Sequence, residues 1–281
     1  MNERVGSTGD GGRRPGVSPS QAMAIGFFLA YMLIPVLATY VFSVAIRWDR
    51  TVLPEGYTLE WYATAFEHPY FSITLGNSFI VSTACVAISL LLVVPTAYWV
   101  HTRVPAAKPL LDVLTILPFG IPGVILALAL IRVYSFPPLV RSPFLLISAC
   151  VIFSMPFMYR PVSTSLQAID LRTLTESAQS LGANTWQILR RVIAPNILPG
   201  ILSGSLLVFA TVFAEFTLAN LITGASFKTF PVLLVEFTRR DGRVAAALSV
   251  ISFTIAWLVS LVILRVSGLG GRSSEEAMGA R

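Results

Sequence analysis

The sequence predicts an all-α, polytopic membrane protein with six transmembrane helices and a cytoplasmic helix-turn-helix between the fourth and fifth. Three observations carry that prediction. Of 281 residues, 55% are hydrophobic and 12% are charged, against about 25% charged in soluble domains, and mean hydropathy is +0.75. Six apolar runs approach the ~20 residues that cross a bilayer as a helix. One longer polar insertion interrupts them, and it is too apolar to be a free linker. So little polar surface cannot cover a globule in water. Lipid is the solvent, and in lipid a spanning segment satisfies its backbone only as a helix or a closed barrel.

Residues 1–20 are rich in Gly, Ser and Arg and predict a disordered cytoplasmic tail. Arg13-Arg14 is followed by Pro15 and Gly16, not by the apolar residue that a twin-arginine signal needs. The first span is predicted over Gln21 to Ile46, too long for the apolar core of a signal peptide. The second covers Phe71 to Val100 and carries no formal charge. The third covers Leu110 to Ile131 and admits Asp112. The fourth covers Ser142 to Tyr159. The fifth covers Ile197 to Ile222 and contains Glu215. The sixth covers Val244 to Leu264, and a short tail, 266–281, follows. Pro35, Pro95, Pro118, Pro122 and Pro156 fall in or beside these runs, and each removes a backbone donor and predicts a kink or an end.

With the N-terminus inside, twelve of the 20 Lys and Arg residues fall on cytoplasmic segments and eight outside. That bias predicts both termini in the cytoplasm. The +6 net charge is what basic loops against anionic lipid produce, and no nucleic-acid module is present. Cys85 and Cys150 lie in apolar runs and read as small buried residues. His68 and His101 are far apart in sequence. No metal site, no cofactor and no catalytic motif is expected: HExxH, GxSxG and a Walker A loop are all absent from the sequence.

The insertion, about 160–196, reads as two short helices. The first opens Thr173-Leu174-Thr175-Glu176, a capping-box pattern, presents small residues at Ser177 and Ala178, and stops after Leu181 at Gly182, which suits a left-handed turn. The second starts at Asn184 or Thr185 as its cap and runs from Trp186 to Val192, and Pro195 forbids its smooth continuation.

This segment resembles the EAA loop of ABC importer permeases, the binding-protein-dependent inner membrane components with a MetI-like core. The family pattern is Glu-Ala-Ala, three residues, Gly, nine residues, Ile, one residue, Leu-Pro. The chain has Glu176-Ser177-Ala178, Gly182, Val192 and Ala194-Pro195 at that spacing. The resemblance covers about 71–265. It implies that Glu176, Ser177, Ala178, Leu181, Gly182 and Pro195 belong to a coupling loop that docks on a cytoplasmic ABC ATPase dimer. It also implies a second permease chain, different but homologous, an extracytoplasmic solute-binding protein, and a prokaryotic inner membrane location. The chain itself is then a transport subunit and not an enzyme.

A carboxylate within a span is costly and should face the bundle interior or water. Glu215, Thr217 and Asn220 are therefore the pathway candidates, with Ser203 and Ser205 as possible neighbours on one polar face. Phe213 to Thr217, Phe230-Pro231 and Arg239-Arg240 most resemble the polyamine, iron(III) and phosphonate branch, with sugar permeases next. The outer basic residues Lys228, Arg239, Arg240 and Arg243 suit an anion or an acidic rim on the binding protein. The alternative is a proton-coupled secondary transporter using Glu215.

Overall fold

The structure is a computed structural model that describes residues 18–49 and 51–279. Ser18 accepts from the Gln21 amide and closes a reciprocal capping box, so α1 (Pro19–Val44) begins inside the predicted tail; residues 1–17 of that tail lie outside the described residues. After a short helix α2 (Glu60–Glu67), α3 runs from Phe71 to Arg103, slightly longer than predicted. The third span is not one helix. α4 (Lys108–Ile116) passes through a 3-10 turn at Leu117–Gly120 and bends by 93° into α5 (Gly123–Val133). Pro118 and Pro122 flank the break, where they withhold amide donors. α6 (Pro143–Gln167), capped by Ser142, extends two turns past the predicted Tyr159 and carries Pro156 and Pro161 inside it.

The insertion holds α7 (Leu171–Ser180), α8 (Thr185–Ile188), a π turn at Leu189–Ile193 and α9 (Ala194–Asn196). The chain then bends by 81° into α10 (Leu198–Phe213). The fifth span also ends earlier than predicted: it breaks at Ala214 and resumes as α11 (Thr217–Ile222). α12 (Phe230–Thr238) lies in the next connection, and α13 (Gly242–Gly279) contains the sixth span. Among the described residues, four helices are long and apolar enough to cross a membrane singly, and the two bent pairs, each counted as one span, bring the number to six.

The core is a three-helix packing of α3, α6 and α10. Cys85, Ala97, Met158 and Val208 are fully buried in it, and Cys85 and Cys150 are free and buried, as their apolar surroundings predict. Two glycines let α10 approach α6. A Cβ on Gly200 would lie 2.6 Å from the Pro161 carbonyl, and one on Gly204 would lie 2.8 Å from the Met158 sulfur. Small residues four apart permit this closeness where lipid supplies no hydrophobic drive between helices.

At the end of the bundle opposite α7 and α8, one arginine gathers three elements. Arg243 donates to the Ile46 carbonyl (2.9 Å), pairs with Asp241 (3.1 Å) and lies 4.1 Å from the Trp61 ring centre. Trp61 donates in turn to the Ala45 carbonyl at 2.9 Å. Arg243 is thus a structural clamp between the end of α1, α2 and the start of α13.

Candidate functional site

The α7–α8 hairpin is held by its own backbone and by what lies beneath it. Asp170, not Thr173, caps α7: its carboxylate accepts the Thr173 amide at 3.2 Å. Hydrogen bonds from Thr173 hold the Asp170 carboxyl below the usual carboxylate range. The expected Thr173–Glu176 capping box therefore does not form, because the helix starts one residue after Asp170, and Glu176 instead pairs with Arg172 at 2.7 Å on the exposed side. The end of α7 is a Schellman motif. Ala183 donates to the Ala178 carbonyl (3.1 Å), Gly182 donates to Gln179 (2.9 Å), and Gly182 has φ +79°. Only a residue without a Cβ adopts that turn at little cost.

Asn184 caps α8 in a reciprocal box with Gln187, both bonds at 2.9 Å. Ahead of Pro195 the helix widens: the Ala194 amide reaches the Leu189 carbonyl, five residues back. The π turn takes up the missing Pro195 donor, and the sharp bend comes after Asn196. Ile188, Ile193 and Ile197 are fully buried under the hairpin, and Thr175 meets Tyr98 of α3 (3.4 Å between hydroxyls). The hairpin is thus fixed to the body of the protein.

Its exposed tip is formed by Glu176, Ser177, Leu181 and Gly182. Leu181 is 89% exposed. Ala178, predicted beside Ser177 on the small-residue face, is buried against the core instead.

The intramembrane candidates do not converge. Glu215 sits half-buried in the break between α10 and α11, where it accepts the Leu218 amide at 2.8 Å. Its carboxylate caps a broken span and does not interrupt a continuous one. Thr217 packs toward Gly123 of α5. Ser205 bonds back to the Ile201 carbonyl at 2.8 Å. Asn220 lines a separate cavity of about 380 Å³ with Phe216, Lys228, Glu236, Arg239 and Arg240. There Glu236 accepts from Lys228 (2.9 Å) and Arg240 (2.8 Å). The hydrogen bond from Lys228 holds the Glu236 carboxyl below its usual range. Of the four basic residues predicted as one cluster, Arg243 belongs to the clamp, Lys228 and Arg240 share Glu236, and Arg239 has no ion pair among the described residues.

Sequence reasoning passed over two features. Tyr159 donates to Asp112 at 2.6 Å, in a cavity of about 250 Å³ with Thr115, Arg160 and Ser163; a charge inside the third run was the available signal. Glu236 stood in a connection, and its signal was the i,i+4 spacing to Arg240.

Known proteins bear on this arrangement. The family described as binding-protein-dependent transport system inner membrane component matches residues 93–269. Spermidine/putrescine transport system permease protein PotB of Haemophilus influenzae is 29% identical over 221 residues, 73% of this chain and 77% of that one. PotB of Escherichia coli is 28% identical over 279 residues, 89% and 98% of the two chains. A chain of a bacterial ABC transporter involved in the import of the acidic polysaccharide alginate shares the fold with a TM-score of 0.68, at 19% identity, over 88% of this chain and 94% of that one. A chain of the MetNI methionine ABC transporter in inward-facing conformations gives 0.55 at 18% identity, over 70% and 92%.

Proposed function

Because the chain belongs to the family of binding-protein-dependent transport system inner membrane components and is a permease subunit of an ABC importer, we propose that the α7–α8 hairpin is its docking element for the ATPase. One observation carries this reading. The hairpin is closed by local hydrogen bonds and seated on buried isoleucines, yet it presents Leu181 to solvent at 89%. A rigid body with an apolar tip transmits a push, and a flexible one absorbs it. In the mechanism, ATP closes the ATPase pair, Leu181 and Gly182 follow, and the movement passes through Ile188 and Ile193 to α3 and α10. Alternating access requires each ligand to bind one state better than the other.

The hairpin and both termini are placed in the cytoplasm, as the charge bias supports. A second, homologous permease chain completes the pathway. On the opposite face Arg239, the basic residue of that pocket without an ion pair among the described residues, receives an acidic group of the binding protein. The solute proposed is a polyamine. The names of the relatives support it, and so do carboxylates at both broken spans, Asp112 and Glu215, which offset the lost hydration of a cation. A proton-coupled secondary transporter is not favoured, because the family is one of binding-protein-dependent transport systems.

The test is co-purification in mild detergent with the neighbouring gene products. Wild type should bring down an ATPase. Leu181→Asp should lose it while keeping wild-type yield, since its side chain is 89% exposed; Gly182→Leu should lose it too, with some loss of hairpin stability because of its φ of +79°. An intact membrane complex without an ATPase, or one that both variants retain, overturns the docking role. For the solute, Glu215→Gln keeps an acceptor for the Leu218 amide but removes the charge. Uptake of labelled putrescine or spermidine should fall about tenfold, the scale of one charge-assisted hydrogen bond; unchanged uptake removes Glu215 from the pathway.

A further inference from the structure

A cleft of about 360 Å³ separates α3 from α8, lined by Pro95, Thr96, Tyr98, Trp99, Thr185, Trp186 and Leu189. Its two indoles are largely uncovered, Trp99 at 60% and Trp186 at 59% exposed. Large aromatic rings left open in this way call for an apolar occupant. The cleft continues an exposed apolar stripe of α3, through Ile88, Leu91 and Leu92 to Trp99, which has helical spacing and faces away from the α3, α6 and α10 core. From Phe71, Trp99 lies about 42 Å along the helix at 1.5 Å per residue. That distance reaches the headgroup level on the far side of a bilayer ~40–45 Å thick with its interfaces. Tryptophan concentrates at that depth because its ring is apolar and its N–H is polar. One turn beyond Trp186, Arg190 is exposed and has no ion pair among the described residues.

We propose that this cleft seats an anionic phospholipid of the cytoplasmic leaflet, with an acyl chain between Trp99 and Trp186 and the headgroup on Arg190. Trp186 lines the cleft against α3, whereas Leu181 is at the hairpin tip, so lipid and ATPase do not compete. The floor of the cleft is Tyr98, whose hydroxyl meets Thr175 of α7. A lipid there braces the hairpin against the span it moves. The leaflet assignment rests on the cytoplasmic placement of the hairpin proposed above.

The test uses the complete importer in nanodiscs that contain phosphatidylglycerol with a photoreactive acyl chain, or phosphatidylcholine carrying the same group. Adducts should map to the peptides holding Pro95 to Trp99 and Thr185 to Leu189, with phosphatidylglycerol favoured about fivefold, the contribution of one arginine near an anionic surface. Arg190→Gln should abolish that preference and keep the adduct. Trp186→Ala should lose the adduct at the cleft, and Trp186→Phe should keep it. Labelling of the Ile88 to Leu92 stripe without labelling of the cleft means that protein fills it, and the proposal fails. Equal labelling by both lipids removes the headgroup site. Recovery of the ATPase with an unlabelled cleft sinks this inference alone. A labelled cleft with no ATPase sinks only the docking role of the hairpin.

Discussion

Gly182 and Glu176 both belong to one motif, yet their roles in the chain differ in kind. Gly182 is required by backbone: at φ +79° a Cβ costs about 1–2 kcal/mol, although nothing lies within 4 Å of it. Glu176 is a surface partner of Arg172, and its pairing is solvated and weak. The glycine was legible because only one residue type suits a left-handed turn. The cap was not, because Asp170 and Thr173 both offer an oxygen to α7, and it is Asp170 that accepts the Thr173 amide. Glu236 is the residue where pH should act. Its folded carboxyl lies below the ordinary value, so the ion pairs with Lys228 and Arg240 contribute fully above that ordinary value, about 4.3. They fade as pH falls through the lower folded value. Protection of α12 amides, corrected for the intrinsic pH dependence of exchange, should therefore fall in wild type as the medium is acidified below the ordinary carboxylate range and stay level in Glu236→Gln. Equal pH profiles would show that Glu236 does not hold α12. Because these groups are partly exposed, the effect is modest.

Among the elements, the apolar runs were read well as membrane segments and poorly as single helices. Hydropathy averages over a window, whereas a break is decided by a few backbone donors and by what packs against them. Pro118 and Pro122 mark the α4–α5 break in sequence. The Ala214 break has no proline, only a glutamate that caps the next turn. The spacing Gly200-x-x-x-Gly204 sets the close contact between α6 and α10 in the core. Gly204→Leu forces a side chain onto Met158, where a Cβ alone would be 2.8 Å from the sulfur. Overpacking of this kind costs about 1–3 kcal/mol. The variant should show a lowered melting temperature and faster protease nicking of α6, with Gly204→Ala less affected. An unchanged melting temperature for Gly204→Leu would mean that α6 and α10 are not held at this distance.

Across the whole molecule, the two ends are built differently. One end carries a rigid hairpin with an open apolar tip. The other is tied by Arg243, Trp61 and Ala45 into a cap that leaves most of α1 uncovered in the isolated chain. The fold class and the hairpin follow from composition and spacing, which act over short distances in sequence. The cap joins residues far apart in sequence, Arg243 to Ile46 among them, so no local pattern announces it, whereas the Glu236 pairs span only four and eight residues. The half-length helix α5 carries one further consequence. Its 11 residues cover about 16 Å, roughly half the hydrocarbon thickness, and it packs on α11, which the ribosome makes much later. During synthesis, then, the bend is covered early, Phe119 packing on Phe153 and Phe157 of α6, while α5 waits for Thr217 to Ile222 to arrive. Chains stopped before Thr217 should be cleared by membrane quality-control proteases, and pulse-chase labelling should show lifetimes that lengthen abruptly once α11 is included. A gradual lengthening would mean that α5 is stable without α11. The order of assembly would then be set by the ribosome as much as by the final packing, with α5 held in place by one of the last helices to emerge.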